Sequence, residues 1–232
     1  NDWEAAAKPL QQQLGAAIIG RSRKQKVILN RDFIEETLVV NGRNYYQQQV
    51  ENSFTQPNAV INQKMLSWAA LQCKNSAGDL LELYCGNGNF TSVLAGQFKR
   101  VLATEISKTS VRSAEHNFAR NQIDNVAVVR MSSEEISQAL AGARPFRRLA
   151  AIDLPSYSFS TLLVDPPRAG LDAGTLALAA GFERILYISC NPETLARDLL
   201  QLDSSHRIEA LAAFDQFPGT AHLESGALLI RR

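Results

Sequence analysis

The spacing of hydrophobic positions changes character near residue 50. Before it, residues 2–14 read as a short helix. "AAIIGRS" (16–22) and "KQKVILN" (24–30) have the β-branched content of short strands. "NGRNYYQQQV" (41–50) opens on an Asn41–Gly42 turn signal and continues as a strand. A few short strands and one helix bury little surface alone. This stretch is expected to belong to a larger domain or to lean on the residues C-terminal to it.

From about residue 52, strand-like runs alternate with helical periodicity. A helix is predicted over "AVINQKMLSWAALQC" (59–73), with Val60, Met65, Leu66 and Ala69 at helical spacing. "DLLELYC" (79–85) is a strand, followed by a glycine-rich turn and a helix through "FTSVLAGQF" (90–98). "RVLATEI" (100–106) leads into the helix "KTSVRSAEHNFARNQ" (108–122). "VAVVRM" (126–131) leads into "SSEEISQALAG" (132–142), whose Ser132 and Glu135 form a capping-box signature. "STLLVDPP" (160–167) is a strand with a helix near 174–181, and "RILYISC" (184–190) precedes the helix "PETLARDLLQL" (192–202). The last two runs, "RIEALAAF" (207–214) and "SGALLIRR" (225–232), are joined by a loop without a helix. This alternation predicts an α/β, Rossmann-like fold: a mostly parallel sheet covered on both faces, closed by an antiparallel edge hairpin.

Composition narrows the classes. A length of 232 residues with 45% apolar content suits one good-sized domain with a small appendage. No apolar run reaches about 18 residues, so no membrane span is predicted. "NDWEAAAKPL" lacks the charged and apolar regions of a secretory signal, and it lacks an initiator methionine, as a fragment or processed chain would. The formal net charge of +1 neither demands nor excludes nucleic acid. "GRSRKQK" (20–26) and "RPFRR" (144–148) are local basic candidates, with solvated surface charge as the plain alternative. Three scattered cysteines suit neither a disulfide framework nor a zinc site, and they fit a reducing cytoplasm.

Candidate chemistry gathers at predicted strand ends, where open α/β sheets bind ligands. Gly86 and Gly88 follow the first strand of the alternation, although position 91, where a dinucleotide fingerprint has its third glycine, is Thr. Glu105 stands nineteen residues past Gly86 at the next strand end. An acid there suits ribose hydroxyls, or else it caps the following helix. Asn87 and Asn89 suit a zwitterionic amino acid better than a pyrophosphate, which points to S-adenosylmethionine rather than NAD. In "VDPPRAG" (164–170) two prolines stop the strand, so Asp165 projects over the cleft and Arg168 follows on a stiff turn. A purely structural turn is the alternative.

Cys190 ends "RILYISC", with Asn191 and Pro192 as an N-cap and first residue of the next helix. That helix end is expected to favour the thiolate, with Glu193 working partly against it; packing is the alternative role. Cys85 reads as a packing residue, and Cys73 as a helix-face or loop residue. His222 and Glu224 precede the final strand, where a carboxylate is placed to accept a proton or is simply a loop acid.

"LLELYCGNGNF", "VDPPRAGLD", "RILYISCNPETL" and "FDQFPGTAHLESG" together resemble the RNA uracil-C5 methyltransferases. "QVENSFTQPN" (49–58) and "RVLATEISK" narrow the resemblance to the bacterial tRNA (uracil-5-)-methyltransferases, over essentially the whole chain. The resemblance implies Cys190 as nucleophile and Glu224 as base. It implies S-adenosyl-L-methionine as cofactor, leaving as S-adenosyl-L-homocysteine, with Gln56, Tyr84, Gly86, Asn89, Glu105 and Asp165 lining the cofactor and uracil sites. No metal is implied. Arg168 would help hold RNA, and the substrate would be the tRNA T arm, in the cytoplasm, with neither a membrane nor an obligate protein partner. Residues 1–48 would be the remnant of an N-terminal RNA-binding domain whose beginning lies outside this sequence, and 49–232 the catalytic domain.

Alternatives are a ribosomal-RNA uracil-C5 methyltransferase, a non-catalytic S-adenosylmethionine- or RNA-binding module, and an NAD-dependent oxidoreductase. Cytosine-C5 enzymes place a thiol, and amino-group enzymes an aromatic, where this chain has Arg168.

Overall fold

The computed structural model describes residues 2–232. Helix α1 (Asp2–Leu14) precedes two hairpins, β1 (Ile18–Ser22) with β2 (Gln25–Leu29) and β3 (Phe33–Val40) with β4 (Arg43–Val50). The rest alternates: α2 (Ala59–Gln72), β5 (Asp79–Leu83), α3 (Asn89–Leu94), β6 (Val101–Thr104), α4 (Lys108–Arg120), β7 (Val126–Val129) and α5 (Ser133–Leu140). Then come β8 (Phe159–Val164), α6 (Ala173–Ala179), β9 (Arg184–Ser189), α7 (Pro192–Leu202), β10 (His206–Phe214) and β11 (Glu224–Arg231).

Seven strands form the main sheet in the order β10-β11-β9-β8-β5-β6-β7. β5 to β9 are parallel, while β11 runs antiparallel to both β9 and β10. The mostly parallel sheet and its closing hairpin are as the alternation predicts. Strands covered on both faces lose the in–out alternation of polarity, and all five residues of β5 are buried. One face packs under α2, α3 and the β3–β4 hairpin through Leu80, Leu163, Leu186 and Leu38. The other packs under α5, α6 and α7 through Leu81, Val164, Ile136 and Leu195.

The chain goes from β5 outward to β6 and β7, then returns to β8 on the other side of β5. The reversal opens a crevice at the carboxyl ends of β5 and β8, the place where such sheets bind ligands. Because β11 is antiparallel, its first residue, Glu224, arrives at this same rim.

Three local expectations differ from the structure. β3 is a full strand that the hydrophobic pattern does not reveal. Val60 faces solvent, and α2 turns Met65, Leu66 and Ala69 inward together with Asn62. The helix after the glycine turn is α-helical only to Leu94 and finishes as a 3-10 turn over Ala95–Gln97.

The β3–β4 hairpin is fastened to the sheet layer by side chains of α4 and the residue just past it. Asn121 Oδ1 accepts from the Tyr46 N–H (2.8 Å) and its Nδ2 donates to Tyr46 O (2.7 Å). Asn117 Oδ1 accepts from the Gln48 N–H (2.7 Å), and Ser113 Oγ donates to Gln48 O (2.9 Å). β4 runs without interruption through residues 48 and 49.

Candidate active site

A cavity of about 920 Å³ opens at the crevice. Tyr84, Gly86 and Asn89 line it after β5, Glu105 after β6, Asp165 and Arg168 after β8, Cys190 after β9, and Glu224 at the start of β11. Gln56 lines it from the loop before α2. All nine residues singled out from the sequence as site residues therefore meet in one space. His222 lies outside the lining: it is exposed, with its ring against Phe217 (centroids 5.8 Å apart).

The turn after β5 is shaped by backbone strain and close approach. Tyr84 is left-handed (φ 62), which breaks the alternation of the strand and packs its ring with the cluster under α5 and α6. Gly88 has φ 79, and a Cβ there would lie 2.5 Å from the Phe118 ring, so only glycine fits. Glu105 closes the turn: its carboxylate accepts the Gly86 N–H (3.1 Å) and the Ser107 N–H (2.7 Å). Each oxygen retains a further lone pair for a hydroxyl donor. The amide of Asn89 pairs reciprocally with that of Asn62 (2.9 and 3.1 Å), and Asn87 Nδ2 donates to Gln48 O (3.2 Å).

Cys190 and Glu224 are brought together by sheet register. The last β9–β11 pair is Ser189 with Ser225, so the next step along both strands sets Cys190 beside Glu224. Cys190 is partly exposed to the cavity, while Glu224 is buried and its Oε2 has no hydrogen-bond partner. Burial raises the Glu224 carboxyl to about 7. Burial, with Glu224 adding to it, raises Asp165 to about 8. A third acid, Glu82 on β5, is also buried with an unpartnered Oε2, and burial raises it to about 8. Among the described residues, no cation is among the groups that shift these three carboxyls.

The expectation that the α7 end favours the Cys190 thiolate is corrected by this setting. Asn191 does cap α7, accepting the Glu193 N–H (3.1 Å), with Pro192 next. Burial nevertheless raises the Cys190 thiol, and Glu224 and Asp165 raise it further, against the opposing effects of a backbone hydrogen bond and of Arg168.

Loop positions are set by residues whose role the sequence motifs do not disclose. Buried Gln216 donates to Gln56 Oε1 (2.9 Å) and accepts the Asn58 N–H (3.0 Å), fixing the 51–58 loop. The Arg168 carbonyl accepts from Asn191 Nδ2 (3.1 Å) and Thr194 Oγ1 (3.2 Å). The basic segments are partly neutralised. Arg21 pairs with Glu51, Lys26 with Asp32 (2.7 Å), and Arg148 with Glu135 (3.0 Å). Asn62 had a legible signal, a polar residue on the apolar face of a helix; Gln216, in an irregular loop, had none.

The sequence profile described as tRNA (Uracil-5-)-methyltransferase matches residues 1–232. The chain belongs to this family. A tRNA/tmRNA (uracil-C(5))-methyltransferase of Aromatoleum aromaticum is 59% identical over 230 residues, which is 99% of this chain and 62% of that protein. One from Mannheimia succiniciproducens is 57% identical over 236 residues, 100% of this chain and 65% of the relative. This member of the tRNA (uracil-5-)-methyltransferase family thus spans less than two thirds of those relatives. Among solved structures it is similar to a Pyrococcus abyssi tRNA (uracil-54, C5)-methyltransferase in complex with S-adenosyl-L-homocysteine. The TM-score is 0.72 at 27% identity, covering 92% of this chain and 50% of that one. The Thermus thermophilus 16S rRNA N2 G1207 methyltransferase shares the fold (TM-score 0.58, 15% identity, 99% and 62% covered).

Proposed function

We propose that this chain carries the cofactor site and catalytic groups for methyl transfer from S-adenosylmethionine to carbon 5 of a tRNA uridine, the T-loop uridine being the expected target. The observation that supports it best is the meeting of Cys190, Glu224 and Asp165 in the cavity bounded by the Gly86–Gly88 turn. Membership of the family and the bacterial relatives support the reaction class and a cytoplasmic setting.

The residues suit the cofactor chemically. The Gly86–Gly88 turn admits close approach of a ligand to backbone, and Glu105 has lone pairs left for ribose hydroxyls. Asp165 is a cavity-lining carboxyl without a countercharge, which a cationic ligand supplies. When bound, S-adenosylmethionine contributes an electrophilic methyl group on a positively charged sulfur.

Carbon 5 of uracil is a weak nucleophile. Once its thiol proton has passed to solvent, the Cys190 sulfur adds to carbon 6, forming an S–C bond and moving electron density to carbon 5, which would then take the methyl group as that group's bond to the cofactor sulfur breaks. Carbon 5 now holds both a methyl group and a hydrogen. Glu224 takes that hydrogen as a proton, the electron pair restores the ring double bond, and the S–C bond breaks. A carboxyl near 7 is matched to this task at neutral pH. The uridine must leave its stack to enter, at about a few kcal/mol, and Arg168 at the rim is placed to hold the displaced strand.

The test is trapping with a T-arm RNA containing 5-fluorouridine, whose fluorine cannot leave as a proton. A methylated covalent adduct is expected by mass spectrometry, and Cys190→Ala should form none. Glu224→Gln should accumulate methylated adduct on ordinary RNA. Binding of the RNA without any adduct would leave only a non-catalytic binder.

A further inference from the structure

On α4 and at its C-cap, Ser113, Asn117 and Asn121 are spaced four apart and point one way. They occupy the open edge of β4, whose other edge is paired with β3. Asn121 serves β4 and its own helix only, bonding the Tyr46 backbone and the Asn117 carbonyl. Asn117 does more. While its Oδ1 accepts the Gln48 N–H, its Nδ2 donates to Gln47 Oε1 (2.8 Å) and to the carbonyl of Asn87 (2.9 Å) in the glycine turn. Asn87 answers by donating its own amide to Gln48 O.

Asn117 is completely buried and is absent from the cavity lining, whereas Gln47, Gln49, Val50 and Asn87 are all in that lining. One buried amide therefore joins the wall formed by β4 to the turn after β5. Both its hydrogens and its oxygen are used, so no shorter or singly functional side chain supplies the same pattern.

We propose that Asn117 is a positioning residue: it sets the distance between the glycine turn and the β4 wall, and thereby the cofactor affinity of the turn. The proposal rests on the reading that the turn binds S-adenosylmethionine. Asn117→Asp keeps an oxygen for the Gln48 N–H but turns a second oxygen toward two acceptors, Asn87 O and Gln47 Oε1. Asn121→Asp makes a comparable change at β4 without touching the turn.

S-adenosylhomocysteine binding is measured by calorimetry on the whole chain, alongside thermal unfolding of each variant. Both variants should unfold at lower temperature. Asn117→Asp should weaken S-adenosylhomocysteine about tenfold, the size expected for one disrupted buried hydrogen-bond site, and Asn121→Asp by less than about twofold. Asn117→Ser, which introduces no charge, carries the same expectation should the aspartate variant fail to fold. Equal losses of affinity in the Asn117 and Asn121 variants would reduce Asn117 to a stabilising residue, and unchanged affinity in the Asn117 variants would also overturn the proposal. Failure of the unaltered chain to bind S-adenosylhomocysteine would remove the cofactor reading itself.

Discussion

At Cys190 two local influences compete, and burial wins. A helix N-terminus stabilises a thiolate by a fraction of a charge acting over one turn. Here the sulfur also stands beside Glu224 and Asp165 in a partly closed space, and both disfavour a second negative charge. At rest Cys190 is therefore a thiol, and on the proposed mechanism the protonation of its neighbours governs its activation. On the proposed mechanism Glu224 must lose its proton near pH 7 and Cys190 must ionise from a raised value, so kcat/KM should climb between about pH 6 and pH 8.5. A flat profile in single-turnover assays over that range would remove Glu224 as base. Glu82 gives a stability counterpart. Its folded carboxyl is raised from 4.5 to about 8, so its contribution is fully present below pH 4.5 and is lost as pH rises through 8. Glu82→Gln should thus match the unaltered chain at pH 4.5 and melt at least about 2–4 °C higher at pH 8.5, the shift expected for roughly 1 kcal/mol in a chain of this size. Thermal melts across the range read this directly.

At the scale of elements, α7 holds the loop that follows β8. Asp198, buried on α7, accepts the Leu171 N–H (2.8 Å) and the Tyr187 hydroxyl (2.7 Å), and Arg197 donates to it and to Ala169 O. With Asn191 and Thr194 on the Arg168 carbonyl, one helix and its cap fix the whole course of "PPRAGL". Asp198→Ala leaves two buried donors without acceptors at about 1–3 kcal/mol each. It should lower the unfolding free energy in urea by about 3 kcal/mol, and a loss under about 1 kcal/mol would mean the loop is held otherwise. The elements themselves were legible where periodicity, caps and turns agreed, as at Ser132, where the capping box is present with both hydrogen bonds. β3 was not legible because "FIEETLVV" mixes its parities: Leu38 and Val40 point inward, yet Ile34 and Val39 are exposed and two acids interrupt the run. The Asn41–Gly42 pair contained the missing hint. A two-residue turn with both residues at positive φ requires a strand on each side. The strand ends, and hence most of the nine site residues named from the sequence, were legible because a parallel sheet sends every carboxyl end to one rim. The bonds that orient them, from Gln216, Asn62 and Asn117, connect residues far apart in sequence, so their partners leave no local pattern.

For the molecule as a whole, charge and extent bear on RNA. The net charge is +1, and Arg21 and Lys26, two basic residues of the cavity lining, already face Glu51 and Asp32. Phosphate binding by these side chains would first give up those pairs, so this chain has little free positive charge at the site with which to displace counterions. RNA affinity supplied by few phosphate contacts changes little with salt, since the slope of log K on log salt scales with their number. The chain spans 62% of a relative with which it shares 59% identity, and on the proposed function a chain extended to the relative's length would add surface for RNA. A T-arm RNA is expected to bind residues 1–232 at least about tenfold more weakly than the extended chain, with a shallower salt dependence. S-adenosylhomocysteine should bind both within about twofold, because every residue assigned to the cofactor lies between Gln56 and Asp165, which both forms contain. Parallel titrations of RNA and S-adenosylhomocysteine at two salt concentrations separate the two outcomes. Equal RNA affinity for both forms would mean that β1 to β4 and the strand-end rim already carry the whole recognition surface.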